Sequence, residues 1–219
     1  MLNVNPWFKI WTSPKNTLLE IVNFNPKYKF TVLCFIYGLV WCFSLAQTLS
    51  LGHYYGVEII TILSLLIAVP IGYIFMNISS SFFLLAGKIF GGKGEFMNIR
   101  AAVAWANVPT ILTIIGWFYS IFAYGPSTFI QKVTPAEIGM PFLNAFFVIQ
   151  LVAGIWSLVI LIAGISQVQS FSNWRSLGSV ILVSCIWLLV TILLVYGLVL
   201  ADQIKVALNS FNFSSIFIV

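Results

Sequence analysis

Apolar positions along this chain run in long unbroken blocks. Five stand out, near 30–49, 59–86, 101–123, 142–165 and 177–200. At about 1.5 Å of rise per helical residue, each block is long enough to cross a hydrocarbon core of about 30 Å. Backbone amides in hydrocarbon have no water to bond, so blocks of this length predict helices. The expected fold class is all-α, a polytopic membrane protein built as a bundle of five transmembrane helices. The expected domains are an interfacial segment over 1–29, a membrane domain over 30–200 and an interfacial tail over 201–219.

The polar stretches refine this outline. Ser13-Pro14 is a helix-start signal, with Ser at the N-cap and Pro at the first helical position. After it Leu18, Leu19, Ile21 and Val22 share one face, while Lys15, Asn16 and Glu20 point elsewhere. With Trp7, Phe8, Ile10 and Trp11 ahead of it, this predicts a short interfacial helix whose aromatics sit at headgroup depth and whose lysines meet anionic lipid. No cleavage signature follows, so the first span is expected to stay as an anchor. Between blocks three and four, Thr134-Pro135-Ala136-Glu137 is a capping box cut short by Gly139 and Pro141, which predicts one helical turn on the membrane. The tail carries Phe211, Phe213, Ile216 and Phe217 and is expected to fold back onto the bilayer.

Composition agrees: 61% of residues are hydrophobic and only 7% charged, against about 25% charged in soluble domains. The net charge of +5 does not point to nucleic acid, because the basic residues sit between apolar blocks. There they set topology and contact headgroups. With the N-terminus inside, that side holds Lys9, Lys15, Lys27, Lys29, Lys88, Lys93, Arg100 and Arg175, against Lys132 and Lys205 outside. The predicted orientation is N-inside, C-outside.

Reacting groups are sparse. Cys34, Cys42 and Cys185 lie in apolar blocks, and the first two are about 12 Å apart along one helix, too far for a disulfide. Together with the lone His53 in an outer loop they make no metal spacing. No catalytic group, cofactor site or metal site is expected. Gly87 to Gly94 imitates a phosphate-binding loop, but Gly94 replaces the needed hydroxyl and a membrane helix replaces the strand, so it reads as a tight turn. Asn77-Ile78-Ser79 and Asn212-Phe213-Ser214 are formal glycosylation sequons, the first buried in a span.

No block carries a charge in its middle, so polar chemistry at depth rests on amides, hydroxyls and prolines. Pro70 and Pro109 are expected to kink blocks two and three. Asn77 and Asn107 fall at similar depth on antiparallel neighbours, where they bond to each other or line a small cavity with Ser79, Ser80, Ser81 and Thr110. Ala68 with Gly72, and Ala102 with Ala106, permit close helix approach or self-association into a homo-oligomer.

Three stretches together resemble the Ypt-interacting-protein (Yip) family of five-span membrane proteins. They are WTSPKNTLLEIVNFNP from Trp11 to Pro26, GGKGEFMNIRAAVAWANVP leading into block three, and IWSLVILIAGISQVQSFSNWRSLGSVIL joining blocks four and five. The resemblance implies an N-inside, C-outside bundle of five helices, and no two groups suited to acid-base or nucleophilic work share a face, so no enzymatic activity is expected. Eukaryotic members are Golgi and endoplasmic-reticulum proteins linked to small GTPases and vesicle formation, and they carry a long N-terminal region with an acidic-Leu-x-Gly-Pro element. Only about 29 residues precede block one here and that element is absent, which makes the chain closest to the short prokaryotic members. The expected location is the bacterial cytoplasmic membrane, with the Golgi or endoplasmic-reticulum membrane as the eukaryotic alternative.

The function expected from the sequence is membrane organisation or partner recruitment at the cytoplasmic face, through Trp7, Trp11, Lys15, Lys88, Lys93 and Arg100. The bilayer is one partner. A membrane or cytoplasmic protein is the other, a small GTPase only in a eukaryotic setting. The alternative is a small transporter or permeation protein using a cavity at Asn77, Asn107, Pro70, Pro109 and Thr110.

Overall fold

The computed structural model describes residues 5–131 and 141–210. Its helices are α1 (Pro6–Thr12), α2 (Pro14–Phe24), α3 (Phe30–Thr48), α4 (Val57–Ile89), α5 (Phe96–Ala106), α6 (Ile111–Tyr124), α7 (Pro141–Val168) and α8 (Asn173–Ser210). Short 3-10 turns stand at Leu51–His53, Val108–Thr110 and Gly125–Phe129. The Thr134–Glu137 capping box, Lys132 and the tail from Phe211 onward, with its Asn212 sequon, lie outside the described residues. The protein is an all-helical, polytopic membrane protein with five candidate spans: Phe30–Thr48, Val57–Ile89, Phe96–Phe129, Phe146–Val168 and Asn173–Leu193. Met1–Ser179 forms one compact unit and Val180–Val219 another. Within the second, α8 exposes Ile181, Leu188, Leu189, Ile192 and Leu193, as a lipid-facing helix does.

In the first unit α3 and α4 pack backbone to backbone. A Cβ on Gly38 would overlap the Ala68 carbonyl, and one on Gly72 would overlap the Cys34 carbonyl. Lipid tails are as apolar as Leu, so helices in a bilayer gain from such close packing rather than from hydrophobic burial. The small pair Ala68 and Gly72 is one side of this seam. Farther along, Leu39, Phe43, Ala46, Ile60, Trp117, Phe129 and Phe146 form a core, in which the Trp117 ring meets Phe146 edge-on at 5.5 Å and stacks on Phe129 at 6.2 Å. Beyond it, Gln47 Nε2 donates to the Thr128 carbonyl at 3.0 Å and the Gln131 amide donates to Ser50 Oγ at 3.1 Å, closing that end.

The two prolines behave differently. Pro70 is exposed and α4 runs through it unbroken for 33 residues. Pro109 is buried and the helix stops: α5 ends at Ala106, a 3-10 turn follows, and α6 restarts at Ile111. The break is satisfied locally, with Asn107 Nδ2 donating to the Val103 carbonyl at 2.8 Å and Thr110 Oγ1 to the Asn107 carbonyl at 2.7 Å.

Lengths fix the depth of the layers. The 19 residues of α3 span about 28 Å, just enough for the hydrocarbon core. The Phe30 ring meets Tyr73 edge-on at 5.8 Å, and Cys34 Sγ lies 3.9 Å from Met76 Sδ, so α3 begins level with residues 73–77 of α4. From Asn77 to Ile89, α4 therefore continues past that edge by about 18 Å.

Candidate functional site

What lies around and beyond that edge is a cap of α1, α2, the end of α4, the glycine-rich turn, α5 and the junction of α7 with α8. Its centre is Gln169, only 1% exposed. The Gln169 Nε2 donates to the Phe83 carbonyl at 3.2 Å, its Oε1 accepts from the Gly94 amide at 3.0 Å, and its backbone carbonyl accepts from the Lys93 amide at 3.1 Å. One side chain thus pins the turn between α4 and α5 to the end of α7. Glycines make room for it, because a Cβ on Gly87 or Gly92 would overlap the Gln169 amide where it now lies. Gly91 adopts φ +78°, which completes the turn without strain. The result is a fixed backbone that holds Lys88 and Lys93 exposed.

The N-terminal helices join the cap as a hairpin. The Asn5 side chain caps α1 by accepting from the Trp7 amide at 3.1 Å. Lys9 Nζ pairs with Glu20 Oε1 at 2.8 Å across the hairpin. Ile10, Leu18 and Ile21 are fully buried, and Leu18 reaches the backbone beside Gly164 of α7. α2 does start at Ser13-Pro14, although the Ser13 hydroxyl makes no capping bond. The apolar stripe of α2 therefore lies on α5 and α7, with Leu19 and Phe24 left outside. Trp7 is packed as well, its ring 5.1 Å from that of Trp105, which in turn stacks on Tyr28 at 6.2 Å and 3°.

Arg100 is the third element, and it is not on a solvent face: it is 7% exposed. Its guanidinium carbon lies 4.2 Å from the Phe30 ring centre and 5.9 Å from that of Phe96. Its Nη1 donates to Asn77 Oδ1 at 3.3 Å. Asn77 Nδ2 donates to the Tyr73 carbonyl in its own helix at 2.7 Å. The amides of Asn77 and Asn107 thus reach different partners, Arg100 linking α4 to α5 where a direct amide pair was one expectation.

A family model for the Yip1 domain matches residues 8–201, from inside α1 to inside α8. The chain belongs to the Yip1-domain family. No curated protein and no solved structure matches the chain significantly. Yip1-family proteins are non-catalytic, membrane-organising scaffolds. Among the described residues, no group of His, Cys, Asp or Glu is placed to hold a metal. The match begins within α1 and includes α2, which packs on α5 and α7.

Across the Yip1 domain, the cap gathers Lys9, Lys15, Lys27, Lys29, Lys88, Lys93, Arg100 and Arg175, with Glu20 and Glu95 as the acidic described residues beside them. Arg175 lies beside Gly91 of the turn. Lys15 and Trp11 are half-buried on the hairpin. Gln169 and Trp105 escape reading from sequence, since a Gln at a span end and a Trp in an apolar block both pass for interfacial residues. The one available signal was the run of glycines at 87, 91, 92 and 94, which implies a side chain pressed against the backbone.

Proposed function

We propose that this protein is a non-enzymatic membrane scaffold whose cap faces the cytoplasm and recruits a partner with an acidic surface. The observation that carries this reading is the turn pinned by Gln169, which presents Lys88 and Lys93 from a fixed backbone at the most basic end of the chain. Eight basic residues stand there against two acidic ones, the bias that orients a cap toward the cytoplasm. A pre-ordered turn also spares the partner the entropy of arranging it. Exposed apolar side chains at the same end, Phe8, Ile89 and Trp174, suit either the headgroup layer or a docked protein.

The permeation reading has less support. Each Asn amide is bonded within its own helix, and Asn77 also holds Arg100. A cavity of about 380 Å³ lies elsewhere, between α3 and α4, and its walls are apolar, including Trp41, Leu45, Ile60, Leu63 and Phe75. The bacterial cytoplasmic membrane is the proposed location, and a small GTPase is the proposed partner only if the source is eukaryotic. Photocrosslinkers at Lys93 and Trp11 in native membranes test the proposal, with Tyr54 at the opposite end as control. The same protein captured from both cap positions and not from Tyr54 supports recruitment. Capture of lipid alone, in membranes where the protein is folded, overturns it.

A further inference from the structure

Arg100 carries a full charge at a site nine-tenths buried, yet its partners are neutral: one amide oxygen on Asn77 and two aromatic faces. Guanidinium has five N–H donors. Its Nε–H has no acceptor, and among the described residues no carboxylate lies within ion-pair distance. Arginines close to a membrane surface usually extend toward water, whereas this one turns inward, held against Phe30 and Asn77. A buried charge of this kind needs a counter-charge.

Depth identifies the source of that charge. Arg100 sits level with Phe30, the first residue of α3, at the edge of the hydrocarbon core derived above. Lipid phosphates lie just outside that edge. On the side of α4 the neighbours of Arg100 lie at the surface, Tyr73 exposed and Asn77 half-buried. A phosphate is also the group whose geometry the planar fork of Arg matches.

We propose that Arg100 and Asn77 form a lipid site that holds the phosphodiester of a net-anionic phospholipid between α4 and α5, the Arg100 guanidinium supplying the charge and the Asn77 amide positioning it. The lipid then acts as a structural member of the bundle. A zwitterionic lipid is held more weakly, because its own ammonium group competes for the phosphate.

The full-length protein, delipidated in nonionic detergent, is titrated with phosphatidylglycerol and read by native mass spectrometry. Phosphatidylcholine, diacylglycerol of the same chains and inorganic phosphate serve as competitors. The expected result is one tightly held phosphatidylglycerol per chain, with diacylglycerol and phosphatidylcholine at least about tenfold weaker. Asn77→Asp places a carboxylate beside Arg100. It is expected to expel the lipid while keeping or raising the melting temperature, an outcome that a purely packing role for Asn77 does not give. Arg100→Gln is expected to lose the lipid as well. Equal binding of diacylglycerol to the wild type overturns the proposal, as does displacement of phosphatidylglycerol by equimolar inorganic phosphate. A folded Asn77→Asp protein that retains phosphatidylglycerol at wild-type affinity overturns it too.

Discussion

Replacing Gln169 by Leu keeps the approximate volume and removes both hydrogen bonds made by the Gln169 side chain. The Gly94 amide loses its 3.0 Å acceptor in a part-buried turn, and an unsatisfied donor there costs about 1–3 kcal/mol. The Phe83 carbonyl loses its 3.2 Å donor but stays inside α4, where the helix still offers it a partner. That second loss is smaller, about 0.5–1.5 kcal/mol. Together they give about 2–4 kcal/mol, or a fall of about 5–15 °C in Tm for a chain of this size. Cys34 and Cys42 are buried and report unfolding through a thiol-reactive dye once exposed Cys185 is changed to Ser. The same variant is expected to be cut by trypsin at Lys93 faster than the parent, since the turn is released. A Tm within about 1 °C of the parent, with unchanged cleavage at Lys93, would refute the pinning role assigned to Gln169.

Other substitutions probe the remaining joints. Gly38→Ala forces a methyl into the Ala68 carbonyl, so α3 and α4 must part; a loss of about 1–3 kcal/mol is expected by thermal melting. Trp105→Ala removes a fully buried ring that stacks on Tyr28 and meets Trp7 at a tilt, with an expected loss of about 3–5 kcal/mol, and faster proteolysis of α1 and α2 would show the hairpin detaching. The Lys9–Glu20 pair is partly exposed, at 27% and 35%, so a double-mutant cycle is expected to return no more than about 1 kcal/mol, falling with added salt.

Much of the architecture is legible in the sequence because hydrocarbon permits so few structures. Uninterrupted apolar blocks marked an all-helical, polytopic chain with five candidate spans, and the pair Ala68 and Gly72 marked the helix seam. The third span was harder. Pro109 stops the helix outright, with Asn107 and Thr110 bonding backbone carbonyls at the break, while Pro70 on an exposed face of α4 leaves its helix running. The N-terminal segment shows a deeper limit. An apolar stripe on a short helix reads the same whether it meets lipid or protein, and only the fold shows Leu18 seated on α7. Charge alone says too little in a related way at Arg100: a basic residue beside a loop suggests an exposed side chain, and only the positions of Phe30 and Asn77 show it turned inward.

Sidedness is the premise on which recruitment depends. Single cysteines at Lys93 and Tyr54, with the native thiols replaced, are exposed to a membrane-impermeant maleimide in intact cells and again after permeabilisation. Lys93→Cys is expected to label only after permeabilisation. Where the outer face is open to the reagent, Tyr54→Cys, in the turn at the opposite end, labels in both conditions. Labelling of Lys93→Cys in intact cells, with Tyr54→Cys protected, would place the basic cap outside and contradict a cytoplasmic recruiting role.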